Sequence, residues 1–204
     1  MKLLLIRHGQ SEWNASGRWQ GQADPPLTAR GVEQAGLAIA KASELGLGQM
    51  FASDLDRARV TAETIASGIG LSAPTIEPLL RERDAGEFSG LTKEQIEEQF
   101  PGCLDSGERP PGYELDEPLL ARVLKALQAV RDAATADCVG AVAHGGIIRL
   151  LEETFPRPES SGPSPEHIPN LAARWLTLGD NGEIELGARI LLIDEADATV
   201  PSQI

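Results

Sequence analysis

Lysine is scarce in this chain of 204 residues: it occurs only at positions 2, 41, 93 and 125, and arginine makes up the rest of the 18 basic residues, against 31 acidic ones. The net charge of -13 excludes nucleic acid and anionic membrane surfaces as partners, because both require a basic footprint. Cysteine is scarcer still. Cys103, in a Pro/Gly-containing stretch, and Cys138, ahead of an apolar run, supply neither a disulfide framework nor metal-ligand spacing, and they fit a reducing cytoplasm. Long hydrophobic runs are missing too. The aliphatic N-terminal run is broken by Arg7, and nothing elsewhere approaches the roughly 20 residues of a membrane span, so a soluble cytoplasmic protein is expected. There are only three histidines.

What is present reads as one globular domain over residues 1–194, followed by an acidic, proline-containing tail (195–204) expected to be disordered. Short apolar runs that stop at a glycine-containing turn, Lys2 to Ile6 and Val139 to Ala143, read as buried parallel strands. Gln49 to Ala52 reads as a third strand, residues 74–80 as extended, and Ala173 to Leu178 and Ile184 to Ile193 as two more strands. Between them lie helical patterns. Thr28 caps a helix with the apolar face Val32, Ala35, Ile39 and Ala42, and Ser53 caps one that carries Arg57. Thr92 with Gln95 forms a capping box for a short helix that Pro101 stops. Leu119 to Ala134 and residues 146–155 complete the set, with an irregular stretch at 101–117 and a Pro/Ser linker after 155. This alternation predicts an α/β fold, a three-layer α/β/α sandwich with a mostly parallel central sheet.

In such a sheet, ligands bind beyond the carboxyl ends of the strands. Arg7-His8, Arg57, Glu82 and His144 all fall just past strand ends, so they are expected on one rim. Two imidazoles, two guanidinium groups and a carboxyl suit phosphoryl transfer without a metal. One imidazole attacks phosphorus, the arginines and the second imidazole hold the equatorial oxygens, and the acid protonates the departing oxygen. Gly9 allows a tight turn, and Gly145 and Gly146 place backbone N–H groups at a helix N-terminus, an anion site. No cofactor or metal is called for. Gly68-Ile-Gly70 matches a dinucleotide fingerprint in letters but ends a helix instead of following a strand.

The segments Leu5-Ile-Arg-His-Gly-Gln-Ser-Glu-Trp-Asn14, Ser53-Asp-Leu-Asp-Arg57-Ala, Leu80-Arg-Glu82 with Gly86-Glu-Phe-Ser-Gly90, and Ala143-His-Gly-Gly146 occur in the order found in a known family. On these motifs, which extend over residues 2 to about 150, the chain resembles the histidine phosphatase superfamily, in particular its broad-specificity acid phosphatase branch. The resemblance implies that His8 becomes phosphorylated, that Arg7, Arg57 and His144 form the phosphate pocket, and that Glu82 is the proton donor. It further implies that Asn14 binds phosphate and that Gln20 lines the same pocket, with Gly145 in the adjoining helix start. Where the family often has Gly-Glu-Ser before a long helix, this chain has Gly112-Tyr-Glu114-Leu115, with Glu114 at the family's spacing from Arg122.

The expected activity is therefore hydrolysis of a small phosphorylated metabolite through a phosphohistidine. The alternatives are phosphoglycerate mutase-type transfer and a non-catalytic phospho-ligand binding domain on the same fold. A mutase must bind a second anion, and residues 101–117 offer Arg109 against five carboxylates. Asp84 or Glu87 could replace Glu82 as the acid, Trp19, Phe88 and Tyr113 are candidates for the leaving-group side, and His167 reads as an exposed loop residue. The composition is compatible with a homodimer and does not specify one.

Overall fold

Leu3 to Ile6 are wholly buried and alternate between the two faces of a sheet, Leu3 and Leu5 on one side, Leu4 and Ile6 on the other. Two-sided burial is why the first strand, β1 (Lys2–Arg7), is a continuous apolar run instead of an alternating one. The computed structural model of the protein describes residues 1–156, 167–180 and 182–198. Along these, β1 leads to α1 (Glu12–Ala15), α2 (Ala29–Glu44), β2 (Gln49–Ala52), α3 (Asp56–Gly68) and β3 (Thr75–Ile76). Then come α4 (Lys93–Gln99), α5 (Cys103–Ser106), α6 (Asp116–Ala133), β4 (Cys138–Ala143), α7 (Gly145–Thr154), β5 (Ala172–Leu178) and β6 (Ile184–Leu191).

The strands form one sheet in the order β3-β2-β4-β1-β5-β6. The β2–β3, β2–β4 and β1–β4 pairs are parallel, and β1–β5 and β5–β6 are antiparallel. One face is covered by α2 and α3 through Ala38, Ala42, Ala58, Ala62 and Ile65, the other by α6 and α7 through Leu119, Val123, Leu127, Ile147 and Leu151. This is the expected three-layer sandwich. Register then sets the rim: Arg7 lies opposite Ala143, so the residues that follow β1 and β4 emerge side by side. Ala52 of β2 lies opposite Val142, which brings the turn into α3 to the same edge.

Several boundaries differ from expectation for identifiable reasons. Thr28 caps α2 as anticipated, but Val32 is 48% exposed; the buried stripe runs Gly31, Gln34, Ala35, Ala38, Ala42. The stripe is rotated because Gly31 packs on the 9–10 backbone so closely that a Cβ there would lie 2.0 Å from the Gln10 carbonyl oxygen. Ser53 accepts the Leu55 N–H within a turn, and α3 starts at Asp56, whose N–H is capped from a distant loop by the Asp24 carboxylate at 2.8 Å. In 74–80 only Thr75–Ile76 is strand. Pro78–Leu80 tightens into a 3₁₀ turn, with Pro78 at its start and the Glu77 carboxylate accepting the Leu79 N–H.

The Thr92–Gln95 capping box opens α4, α5 adds one turn within the irregular stretch, and α6 begins at Asp116, earlier than Leu119. Of the tail expected to be disordered, residues 195–198 form a turn held on α2: Arg30 pairs with Asp197 at 2.5 Å and the Gln34 amide donates to the Asp197 carbonyl. Residues 199–204, and the Pro/Ser linker over 157–166, lie outside the described residues.

Candidate active site

His8 follows the last residue of β1 and is 2% exposed, and its backbone N–H donates to the Ala143 carbonyl of the neighbouring strand. Its Nδ1 lies 2.6 Å from the Gly9 carbonyl oxygen. A carbonyl only accepts, so in the neutral ring Nδ1 carries the proton and Nε2 keeps a lone pair. His144, wholly buried at the N-cap of α7, meets this ring edge-on with centroids 5.2 Å apart. Burial first, then the charges of Arg57 and Arg7, hold the His8 pKa well below its ordinary 6.5. The same causes, burial foremost, lower His144. Both rings are therefore neutral at pH 7.

Arg7 lies under the cleft, its Nη1 donating to the Ile168 carbonyl. Arg57, at the first turn of α3, donates Nη1 and Nη2 to the carbonyls of Ala23 and Gly21 at 2.6 and 2.9 Å. It is not the surface ion pair that its helix position invites: Asp54 binds Arg81 and Glu63 binds Arg59 instead. Burial pushes both guanidinium groups down to about 10, opposed by the Glu82 charge, so both remain cationic at pH 7. The Nε atoms of Arg7 and Arg57 and both ring nitrogens of His144 are buried without a hydrogen-bond partner among the described residues. Buried polar groups are ordinarily satisfied, and two unpartnered guanidinium N–H groups beside a neutral imidazole with one N–H can together hold an oxyanion.

The cleft, about 450 Å³, is lined by Arg7, His8, Gln20, Gly21, Arg57, Glu82, Gly145, Gly146, Arg149, His167 and Ile168. Glu82 is the carboxylate in this lining, whereas Asp84 is turned away to accept the Gly86 N–H. Arg83 N–H and Gly146 N–H hold the Glu82 oxygens at 2.8 and 3.0 Å. The Gly146 N–H at the start of α7 is thus taken by the Glu82 carboxylate, and a Cβ at 146 would lie 2.3 Å from Oε1. The loop carrying Glu82 is gripped from both sides. Arg81 forms a two-pronged pair with Asp54, and Arg122 binds Glu114 through Nε and Nη2 and also donates to the carbonyls of Leu79, Arg81 and Glu82. Glu114 at the family's spacing therefore braces Glu82 through Arg122. Leu115 in the serine position leaves α6 without a side-chain cap and is 58% exposed.

Gln20 lines the cleft, with its Oε1 taken by the Ser11 hydroxyl. Asn14 is buried at the start of α1, its Oδ1 accepting the Ser11 N–H at 3.3 Å and approached by Asn170 at 3.4 Å. Gly9 packs tightly as well, since a Cβ would sit 2.5 Å from the Gly31 carbonyl oxygen. An adjoining cleft of about 340 Å³ shares Gln20, Gly21, Glu82, Gly146 and Arg149 and adds Trp19, Arg83, Ala85 and Tyr113. Phe88 is not in it: fully buried, it packs edge-on against Trp19, Phe100 and Tyr113 as the floor beneath.

Five residues carried no role in the sequence reading: Arg149 and His167, which line the cleft, and Thr61, Asn170 and Asp24, which contact Gly9, His8 and Arg57; His167, expected to be an exposed loop residue, is half-buried. Arg149 could have been found, since it lies on the same helical face as Gly145, four residues earlier. Among the described residues there is no group of three or more His, Cys, Asp or Glu placed to hold a metal ion, and no helix long and apolar enough to cross a membrane.

The sequence model of the histidine phosphatase superfamily (branch 1) matches residues 3–187. The probable phosphoglycerate mutase GpmB of Escherichia coli is 36% identical over 163 residues, 76% of this chain and 74% of that protein. Among solved structures, a mycobacterial glucosyl-3-phosphoglycerate phosphatase complexed with VO3 superimposes with a TM-score of 0.79 at 27% identity, covering 92% of this chain and 97% of that one. YhfR of Bacillus stearothermophilus gives 0.78 at 26% identity, covering 92% and 95%.

Proposed function

The chain belongs to the histidine phosphatase superfamily, branch 1, and from that premise we propose that it is a phosphomonoesterase that hydrolyses a small cytoplasmic phosphorylated metabolite through a phosphohistidine. The observation that carries this reading is the 2.6 Å contact between His8 Nδ1 and the Gly9 carbonyl oxygen, which assigns the proton to Nδ1 and leaves Nε2 as a nucleophile beside buried nitrogens without a partner among the described residues. In the first step Nε2 bonds to phosphorus as the bond to the ester oxygen breaks in line. Glu82 gives that oxygen its proton, and the alcohol departs. In the second, Glu82 as carboxylate takes a proton from water, whose oxygen attacks phosphorus, and the P–N bond returns its electrons to His8. Arg7, Arg57 and His144 stabilise the charge on the equatorial oxygens in both. No step of this reading calls on a metal.

A second reading, phosphoglycerate mutase-type transfer, is favoured by the likeness to GpmB and by Arg149, a cation beside the cleft where a second anion on the substrate would lie. The complete set of nucleophile, acid and oxyanion donors weighs against a purely binding role.

The test is a screen of phosphorylated metabolites for released phosphate, with a parallel mutase assay, with and without a strong chelator and vanadate. Hydrolysis insensitive to chelation, blocked by vanadate and reduced by at least about 10⁴-fold in His8→Ala is the expected outcome. Loss on chelation restored by a divalent ion, or a folded His8→Ala that keeps substantial activity, would overturn it.

A further inference from the structure

Two residues outside the reacting set hold one peptide from opposite sides. In the trans peptide that joins His8 to Gly9, the carbonyl oxygen of His8 accepts from Asn170 Nδ2 at 2.8 Å, and the N–H of Gly9 donates to Thr61 Oγ1 at 3.1 Å. Both side chains are fully buried. Each is anchored in turn. Thr61 uses its own proton to donate to the Arg57 carbonyl at 2.7 Å, so its oxygen is presented to Gly9 as an acceptor. Asn170 precedes Leu171, whose φ of +57° is a left-handed conformation that a leucine adopts only under constraint. The Leu171 N–H donates to the Arg7 carbonyl and its own carbonyl accepts from the Leu192 N–H.

The next peptide is held as well, because the Gln10 N–H donates to Gln34 Oε1 at 2.8 Å. With both planes fixed, the Gly9 carbonyl has one direction to point, and it points at His8 Nδ1.

We propose that Thr61 and Asn170 are positioning residues for the nucleophile: by fixing the His8–Gly9 peptide from both ends they aim the Gly9 carbonyl at Nδ1 and so select the tautomer whose Nε2 can attack. The inference rests on the reading of His8 as nucleophile. A neutral imidazole with the proton on the other nitrogen has no lone pair toward phosphorus, so loss of the selection removes reactive molecules without removing binding groups. Neither Thr61 nor Asn170 is among the residues that line either cleft, so the effect is expected in kcat and not in KM.

The experiment is ¹⁵N NMR of histidine-labelled protein above pH 7, together with rapid-quench phosphorylation by p-nitrophenyl phosphate, on Thr61→Val, Thr61→Ser, Asn170→Ala and wild type. Wild type should show His8 with Nδ1 protonated. Thr61→Val and Asn170→Ala should each show a population protonated at Nε2 and a phosphorylation rate lower by about 10-fold, within the range for removing a group that orients a reacting ligand. Their vanadate affinity should stay within about 3-fold, and Thr61→Ser, which keeps the hydroxyl, should restore the wild-type tautomer. Circular dichroism identifies a variant that has failed to fold; Asn170→Ala then carries the test for Thr61→Val, and the reverse. A folded variant that keeps Nδ1 protonation and the wild-type phosphorylation rate overturns the proposal. If wild type forms no phosphohistidine, the nucleophile reading fails, while the NMR arm still reports whether these residues set the tautomer.

Discussion

The wall that carries Arg7, His8, Arg57 and His144 stands on strand ends and the first turn of a helix, and these side chains are at most 5% exposed. The facing wall, with Glu82, Arg149, Trp19 and Tyr113, stands on a loop, a helix flank and a small satellite cluster around Phe88, and each of its members is half-buried. The first is fixed by sheet hydrogen bonds and main-chain carbonyls, which cannot shift without breaking the register of β1 with β4. The second is fixed by ion pairs such as Arg81–Asp54 and Arg83–Asp116, partly exposed and individually worth little. On the proposed reading, the chemistry common to all phosphate esters would sit on the rigid wall, and recognition of the departing alcohol on the wall that side-chain changes can reshape.

The largest expected effect that separates the walls is at Glu82. Glu82→Gln should slow hydrolysis of alkyl phosphates by about 10² to 10⁴, yet slow phosphorylation of His8 by p-nitrophenyl phosphate far less, because nitrophenolate departs without a proton. Rapid quench should show a burst and accumulated phosphohistidine with the aryl ester. Equal loss of the first step for both esters would remove Glu82 as the acid.

Arg149→Ala sharpens the comparison from the facing wall. For esters whose alcohol bears a carboxylate or second phosphate, kcat/KM should fall by about 10-fold, some 1.4 kcal/mol, with p-nitrophenyl phosphate nearly unaffected. A uniform loss across both substrates would place Arg149 with the phosphate wall instead.

The rigid wall also predicts a pH response. His8 and His144 are held well below 6.5 when folded, so the acid limb of kcat/KM should lie below that value. An unfolded chain takes up these protons near pH 6.5 and the folded one refuses them, so their stability contribution is complete above that pH and is lost as pH falls. Thermal melts from pH 8 to 5 should show a decline that His144→Gln makes shallower; an unchanged slope would mean that other groups dominate.

The smallest effect is Leu115→Ser. It restores a side-chain cap to α6 and should add about 1 kcal/mol of stability by denaturant unfolding without changing turnover. A change in kcat would show that this helix start bears on Glu82.

Strands β1 and β4, the caps at Thr28 and Thr92, and the placement of Arg7, His8, Arg57, Glu82 and His144 on one rim could be read from residue order, because two-sided burial and capping leave local patterns. The start of α3 could not, since the Asp24 carboxylate of a distant loop caps the Asp56 N–H. Asn170 and His167 were likewise invisible. They lie more than 150 positions after His8, and only the antiparallel pairing of β5 with β1 brings them to it.

By itself, then, the sequence determined the layer architecture and the set of residues that meet at one rim, because hydrophobic periodicity and short motifs are local properties of a chain. Which nitrogen of His8 keeps its lone pair, which backbone N–H groups hold Glu82 and which residues line the adjoining cleft were decided by the tertiary structure. Those depend on hydrogen bonds between segments far apart in sequence, whose directions exist only once the sheet has set its register.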